Sequence, residues 1–126
     1  MGKIVSLWIL LTVWGMTAER QVSEEAFLHA CLQCHQKEQI PSNLVYRRYL
    51  MRYSTPERIA KAMFRYLKHP EKSASIMPRQ FFLKFPMKER SSESDEVLKA
   101  YIMHYIEKFD IRKSLVLPQT QNRAPL

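Results

Sequence analysis

An all-helical domain is what this 126-residue chain predicts, on three observations. No stretch alternates apolar and polar residues with the period of two that a half-buried strand needs. Three segments carry apolar residues every three or four positions behind a Ser or Thr at the N-cap. Both glycines, Gly2 and Gly15, fall within the first fifteen residues, so the remainder has no residue that takes positive φ freely. Its turns are left to Pro, Asn and Ser, which favours helices on irregular connections over tight hairpins. A hydrophobic fraction of 46% with 25% charged residues is that of an ordinary globular chain, long enough for one domain with a modest core.

The N-terminus is set apart from that domain. Met1 to Lys3 is a short basic start, Ile4 to Trp14 is apolar but for Ser6 and Thr12, and Gly15-Met16-Thr17-Ala18 follows. This is the layout of a secretory signal, too short to span a bilayer comfortably. Cleavage is expected after Ala18, although Met16 stands where a small residue is preferred; an uncleaved N-terminal anchor is the alternative. Either way the domain, residues 19–112, is expected outside the cytoplasm, in the periplasm, with residues 113–126 as a C-terminal tail. Loss of Lys3 leaves 19 basic side chains against 12 acidic ones.

Along the domain, Ser23 caps a first helix with Glu24 and Glu25 in its first turn, where the helix dipole favours negative charge. It is expected to run to about residue 36, with Ala26, Phe27, Ala30, Cys31 and Cys34 on one side. Ile40-Pro41-Ser42-Asn43 is a break. Residues 44–53, rich in Tyr and Arg, read as a helix or turn. Thr55-Pro56 opens the next helix, whose stripe is Ile59, Ala60, Met63, Phe64 and Leu67, and His69-Pro70 ends it. Residues 73–89 show no helical stripe. Ser92 or Ser94 then caps a last helix with a broad apolar face from Val97 to Phe109.

The only two cysteines stand in Cys31-Leu32-Gln33-Cys34-His35, the C-x-x-C-H spacing of covalent haem attachment. Two thiols one helical turn apart can each bond a haem vinyl group, and the histidine after the second then lies under the iron as axial ligand. Composition alone would produce the pentapeptide in about one chain of this length in a thousand, or fewer. A redox disulfide lacks the βαβ pattern that accompanies it elsewhere. Zinc would need two further ligands, and His29, His69 and His104 are scattered. A disulfide across two residues would close a very small loop and add little.

A sixth ligand is sought among methionines beside prolines, Met77-Pro78 and Pro86-Met87; a thioether ligand raises the reduction potential, and the proline stiffens the loop that holds it. Met63 lies in a helical stripe and reads as core. The apolar run Phe81 to Phe85 would line a haem pocket with either methionine. Tyr46, Arg47, Arg48, Tyr49, Arg52 and Tyr53 could reach haem propionates or lie solvated.

This layout resembles the class I cytochrome c family over roughly residues 22–109. The likeness rests on Phe27 four residues before Cys31, on the Cys31–His35 motif, on Met77-Pro78 downstream, and on a capped last helix carrying aromatics. It implies a small helical domain wrapped around one covalent haem c with one edge exposed, its first and last helices crossing with Phe27 against the Tyr101 or Tyr105 side. It favours Met77 over Met87 as the partner of His35. It also implies that the Pro41 carbonyl orients the histidine, although Pro41 follows His35 more closely than in the family. Family members carry glycine where Ser23 stands and near the haem; this chain has none.

The implied function is that of a monomeric periplasmic carrier of single electrons with His/Met ligation and no substrate turned over. A haem-based sensor with an open or displaceable sixth position is the alternative. Residues 47–90 hold twelve Lys or Arg and three acids, so redox partners with an acidic docking face are expected, and association with an anionic membrane surface is a second use of the same charge. Export argues against a nucleic-acid partner.

Overall fold

The computed structural model describes residues 22–115, which are all-helical and contain no strand. The expected signal segment, residues 1–18, and the tail beyond residue 115 lie outside the described residues. Among the described residues no helix is long and apolar enough to cross a membrane.

The motif helix is built from three contiguous pieces: an α-turn Glu24–Phe27, a π-helical turn Leu28–Leu32 and an α-turn Gln33–Lys37. Ser23 caps it as expected, its hydroxyl accepting from the Ala26 N–H at 3.4 Å. Within the π-turn the Gln33 N–H reaches back to the Leu28 carbonyl, five residues away. One extra residue in a turn rotates everything after it relative to a regular helix. That rotation corrects the expected stripe: Phe27 is fully enclosed, Leu32 is buried, and Cys34 comes out exposed rather than on the Phe27 side.

The helix ends in a Schellman motif without glycine. Ile40 N–H donates to the His35 carbonyl at 2.8 Å and Gln39 N–H to the Gln36 carbonyl at 3.2 Å. Closing that turn puts Gln39 at φ 54°, the left-handed region, which a Cβ makes costly. Ser54, at φ 64°, does the same after the second helix.

That second helix, Ser42–Tyr53, starts inside the expected break and buries Val45, Tyr46 and Tyr49. The two tyrosines are therefore core residues, not solvated ones. The third helix, Pro56–Lys68, follows expectation, with the Thr55 hydroxyl accepting from Arg58 N–H and Pro56 at the first position. A single short helix, Phe81–Lys84, interrupts the loop that follows. The terminal helix, Asp95–Phe109, is capped by Ser94, and one 3-10 turn, Ile111–Ser114, ends the described chain.

The terminal helix is the hub, packing against the second and third helices. It meets the motif helix through Phe27, whose ring lies 6.2 Å from Tyr101 and edge-on to His104 at 4.6 Å. Over that contact the Glu24 carboxylate accepts from His104 Nε2 at 3.0 Å and from Lys108 Nζ. The Lys108 ammonium, then the His104 imidazole, hold that carboxyl below its usual range.

Phe27→Ala should cost about 3–5 kcal/mol of unfolding free energy in urea titrations, because the ring is wholly enclosed and its cavity cannot collapse from both sides. Gln39→Gly should act oppositely, raising stability by about 1 kcal/mol through relief of the left-handed strain; an unchanged or lowered midpoint would show that the strain is not felt.

Candidate functional site

His35 stands one turn from the end of the motif helix, half-buried, with its ring 6.4 Å from that of Tyr105. Its Nδ1 faces the Ser42 hydroxyl at 3.4 Å. When Nδ1 carries the proton and Ser42 accepts it, Nε2 is left with a free lone pair. Burial, aided by the Lys88 ammonium, pushes the imidazole below its ordinary value and so favours the neutral, ligating form. The Schellman turn fixes the backbone of the same residue through its carbonyl.

Spacing along the sequence does not single out Ser42. The resemblance pointed instead to Pro41, but the Pro41 carbonyl accepts the Leu44 and Val45 N–H groups at 3.0 and 3.2 Å as the first acceptor of the second helix. A two-residue-earlier helix start turns the Ser42 hydroxyl onto the imidazole. The Ser42 carbonyl in turn accepts from the Tyr105 hydroxyl at 2.7 Å, which locks this corner to the terminal helix. The only available signal was a hydroxyl residue directly after a proline near the motif.

Cys31 and Cys34 are free thiols. Cys31 is half-buried, and burial pushes its thiol up to about 11, with Lys88 opposing and Glu93 adding to the shift. It is therefore held as a neutral thiol. Lys88, directly after Pro86-Met87, acts electrostatically on both Cys31 and His35.

Met77 is half-buried against the core, and its N–H donates to the hydroxyl of buried Ser75 at 3.1 Å. Met87 is also half-buried. Between them Phe81 stacks on Phe85 at 4.5 Å and meets Phe82 edge-on at 5.4 Å, while Leu83 points out, 89% exposed. The C-terminal end of this loop is clamped to the third helix. Ser91 N–H donates to the Leu67 carbonyl at 2.9 Å; Lys68 Nζ donates to the Glu93 carbonyl at 2.7 Å and pairs with Asp95 at 2.8 Å. Lys68 is thus largely withdrawn from solvent.

On the second helix Arg48 Nε is buried with no hydrogen-bond partner among the described residues. It lies at an open depression of about 510 Å³ bordered by Leu44, Arg47, Met51, Arg52 and Ile76. A buried guanidinium nitrogen without a partner is costly, and an anionic oxygen is the group that would satisfy it best. Elsewhere, among the described residues, no three His, Cys, Asp or Glu side chains gather as a metal site would require.

Lys68→Met should release the end of the loop. Backbone amide exchange at Ser91 is expected to quicken while that of Leu98 and Ile102, inside the terminal helix, stays slow. Equal rates in both proteins would mean that the lysine does not hold the loop. No family model, curated protein or solved structure matches the chain.

Proposed function

We propose that this chain is an exported c-type cytochrome that carries single electrons, with one haem bonded through Cys31 and Cys34 and ligated by His35 and Met77. The observation that carries the reading is the His35 environment. The imidazole that directly follows the C-x-x-C pair is half-buried, which favours its neutral form, and its Nδ1 faces the Ser42 hydroxyl; with the proton on Nδ1, Nε2 is the nitrogen offered.

The residues fit a covalently held haem in three further respects. The two thiols are not joined to each other, as two thioether bonds require. A thioether cannot titrate, so the half-burial that disfavours a Cys31 thiolate carries no such penalty once the sulfur is bonded. Arg48, with Arg47 and Arg52 beside it, offers an unsatisfied donor to carboxylates. When bound, the haem supplies an iron that cycles between ferrous and ferric states. The chain's own part is positional. Cys31 and Cys34 tether the group, Ser42 and the Ile40 N–H hold His35, and Ser75 anchors the backbone of Met77. The aromatic cluster of Phe81, Phe82 and Phe85 supplies apolar surface to exclude water. No substrate is turned over. The N-terminal apolar segment directs export to the periplasm, where thiols can meet haem.

Met87 is the competing sulfur, favoured by the one observation that its neighbour Lys88 lies within electrostatic reach of both Cys31 and His35.

Expression with a bacterial haem-attachment system should yield one haem per chain that survives acidified-acetone extraction, and Cys31→Ser with Cys34→Ser should abolish it. A colourless exported product removes the proposal. In the holoprotein, Met77→Ala should erase the methionine-to-iron absorption band and allow rapid carbon monoxide binding after reduction, whereas Met87→Ala should leave both unchanged. The reverse pattern assigns Met87. Rapid carbon monoxide binding to the unaltered protein would favour a sensor over a carrier.

A further inference from the structure

An open cleft of about 580 Å³ runs along the outward face of the third helix and is closed on one side by the loop before the terminal helix. Its lining cations are Arg58, Lys61, Arg65 and Lys68 from the helix and Arg90 from the loop. Arg58, Lys61 and Arg65 are exposed and recur three and four residues apart, so they share one face. The single acid in the lining, Asp95, is already paired with Lys68. Arg58, Lys61, Arg65 and Arg90 form no ion pair among the described residues, although acids elsewhere on the chain are paired with Lys108, Arg112 and Lys113. The floor is Phe64, whose ring has Lys99 Nζ 5.3 Å and Lys68 Nζ 6.0 Å from its centroid.

Four cations that form no ion pair, with Asp95 the one acid in the lining, repel one another along a concave track, and that repulsion is relieved by a polyanion lying along it. We infer that this cleft is the docking site for an acidic segment of a partner protein. The eleven residues from Arg58 to Lys68 span about 15 Å of helix, which matches roughly four or five residues of extended peptide. A bilayer surface is flat on this scale and would meet the rim rather than the floor. Contacts of this kind are weak, fast and salt-sensitive, as a carrier that must release its partner requires.

The inference extends the electron-carrier reading by naming where the partner sits. Its assay reads peptide binding whether or not haem is attached, so it can fail while haem attachment stands. The full-length holoprotein is titrated into fluorescein-labelled hexaglutamate at low ionic strength and followed by fluorescence anisotropy. Lys61→Glu with Arg65→Glu should weaken binding by roughly tenfold, and Lys72→Glu with Lys113→Glu, an equal charge change outside the cleft, by less than about threefold. If the reversed pair does not fold by circular dichroism, Lys61→Gln with Arg65→Gln should still weaken binding by about threefold. Absence of binding, or equal losses in the two pairs, overturns the inference. So does sedimentation with phosphatidylserine vesicles that depends on Lys61 and Arg65 when hexaglutamate is not bound.

Discussion

The enclosed ring of Phe27 is the contact on which the rest of the site depends. It joins the motif helix to the terminal helix between Tyr101 and His104, with the Glu24 carboxylate bridging His104 and Lys108 above it. Burying such a ring is worth a few kcal/mol, several times an exposed ion pair. The apolar contact therefore sets the position and the ion pairs trim it. The π-turn begins at the next residue, so the rotation it introduces is measured from a fixed point. His35 arrives, half-buried, against Tyr105 and Ser42 because Phe27 is fully enclosed and the intervening turn is one residue too long for an α-helix.

A second constraint is the want of glycine. Each of the first two helices ends on a residue in the left-handed region, Gln39 and Ser54, where the cost of a Cβ is of order 1 kcal/mol or more. At Gln39 that cost is offset by two backbone hydrogen bonds and by Ile40 packed on the core, and the product is a fixed His35 carbonyl. The strain thus falls at the turn that carries the histidine, where backbone strain most often coincides with function.

Charge is sorted by depth. Lys68 is withdrawn and satisfied by a carbonyl and a carboxylate, and so acts as a structural clamp for the loop that holds both candidate methionines. Arg58, Lys61 and Arg65, on the same helix, remain outside and unpaired. Arg48 lies between these cases, its Nε buried but unsatisfied. One helical segment therefore serves packing and recognition at once, because a side chain's role changes with a rotation of about 100° per residue.

The sequence alone determined the helical class, the caps at Ser23 and Thr55 and the C-x-x-C-H spacing, and left the last cap between Ser92 and Ser94. These are local facts: a cap answers unsatisfied N–H groups within one turn, and the motif's chemistry is a matter of spacing along a single helix. It also made Phe27, Ile59, Met63 and the Leu98–Ile106 face legible as core, since a 3.6-residue period survives wherever the helix is regular. Tertiary structure decided the rest. A π-turn leaves no periodic signature and turned Cys34 outward; Tyr46 and Tyr49 went inside because the second helix packs against both the third and the terminal helices. Ser42 met His35 only because a helix start brought together residues seven apart. Burial and neighbouring charge act through space, and spacing along the chain does not encode them.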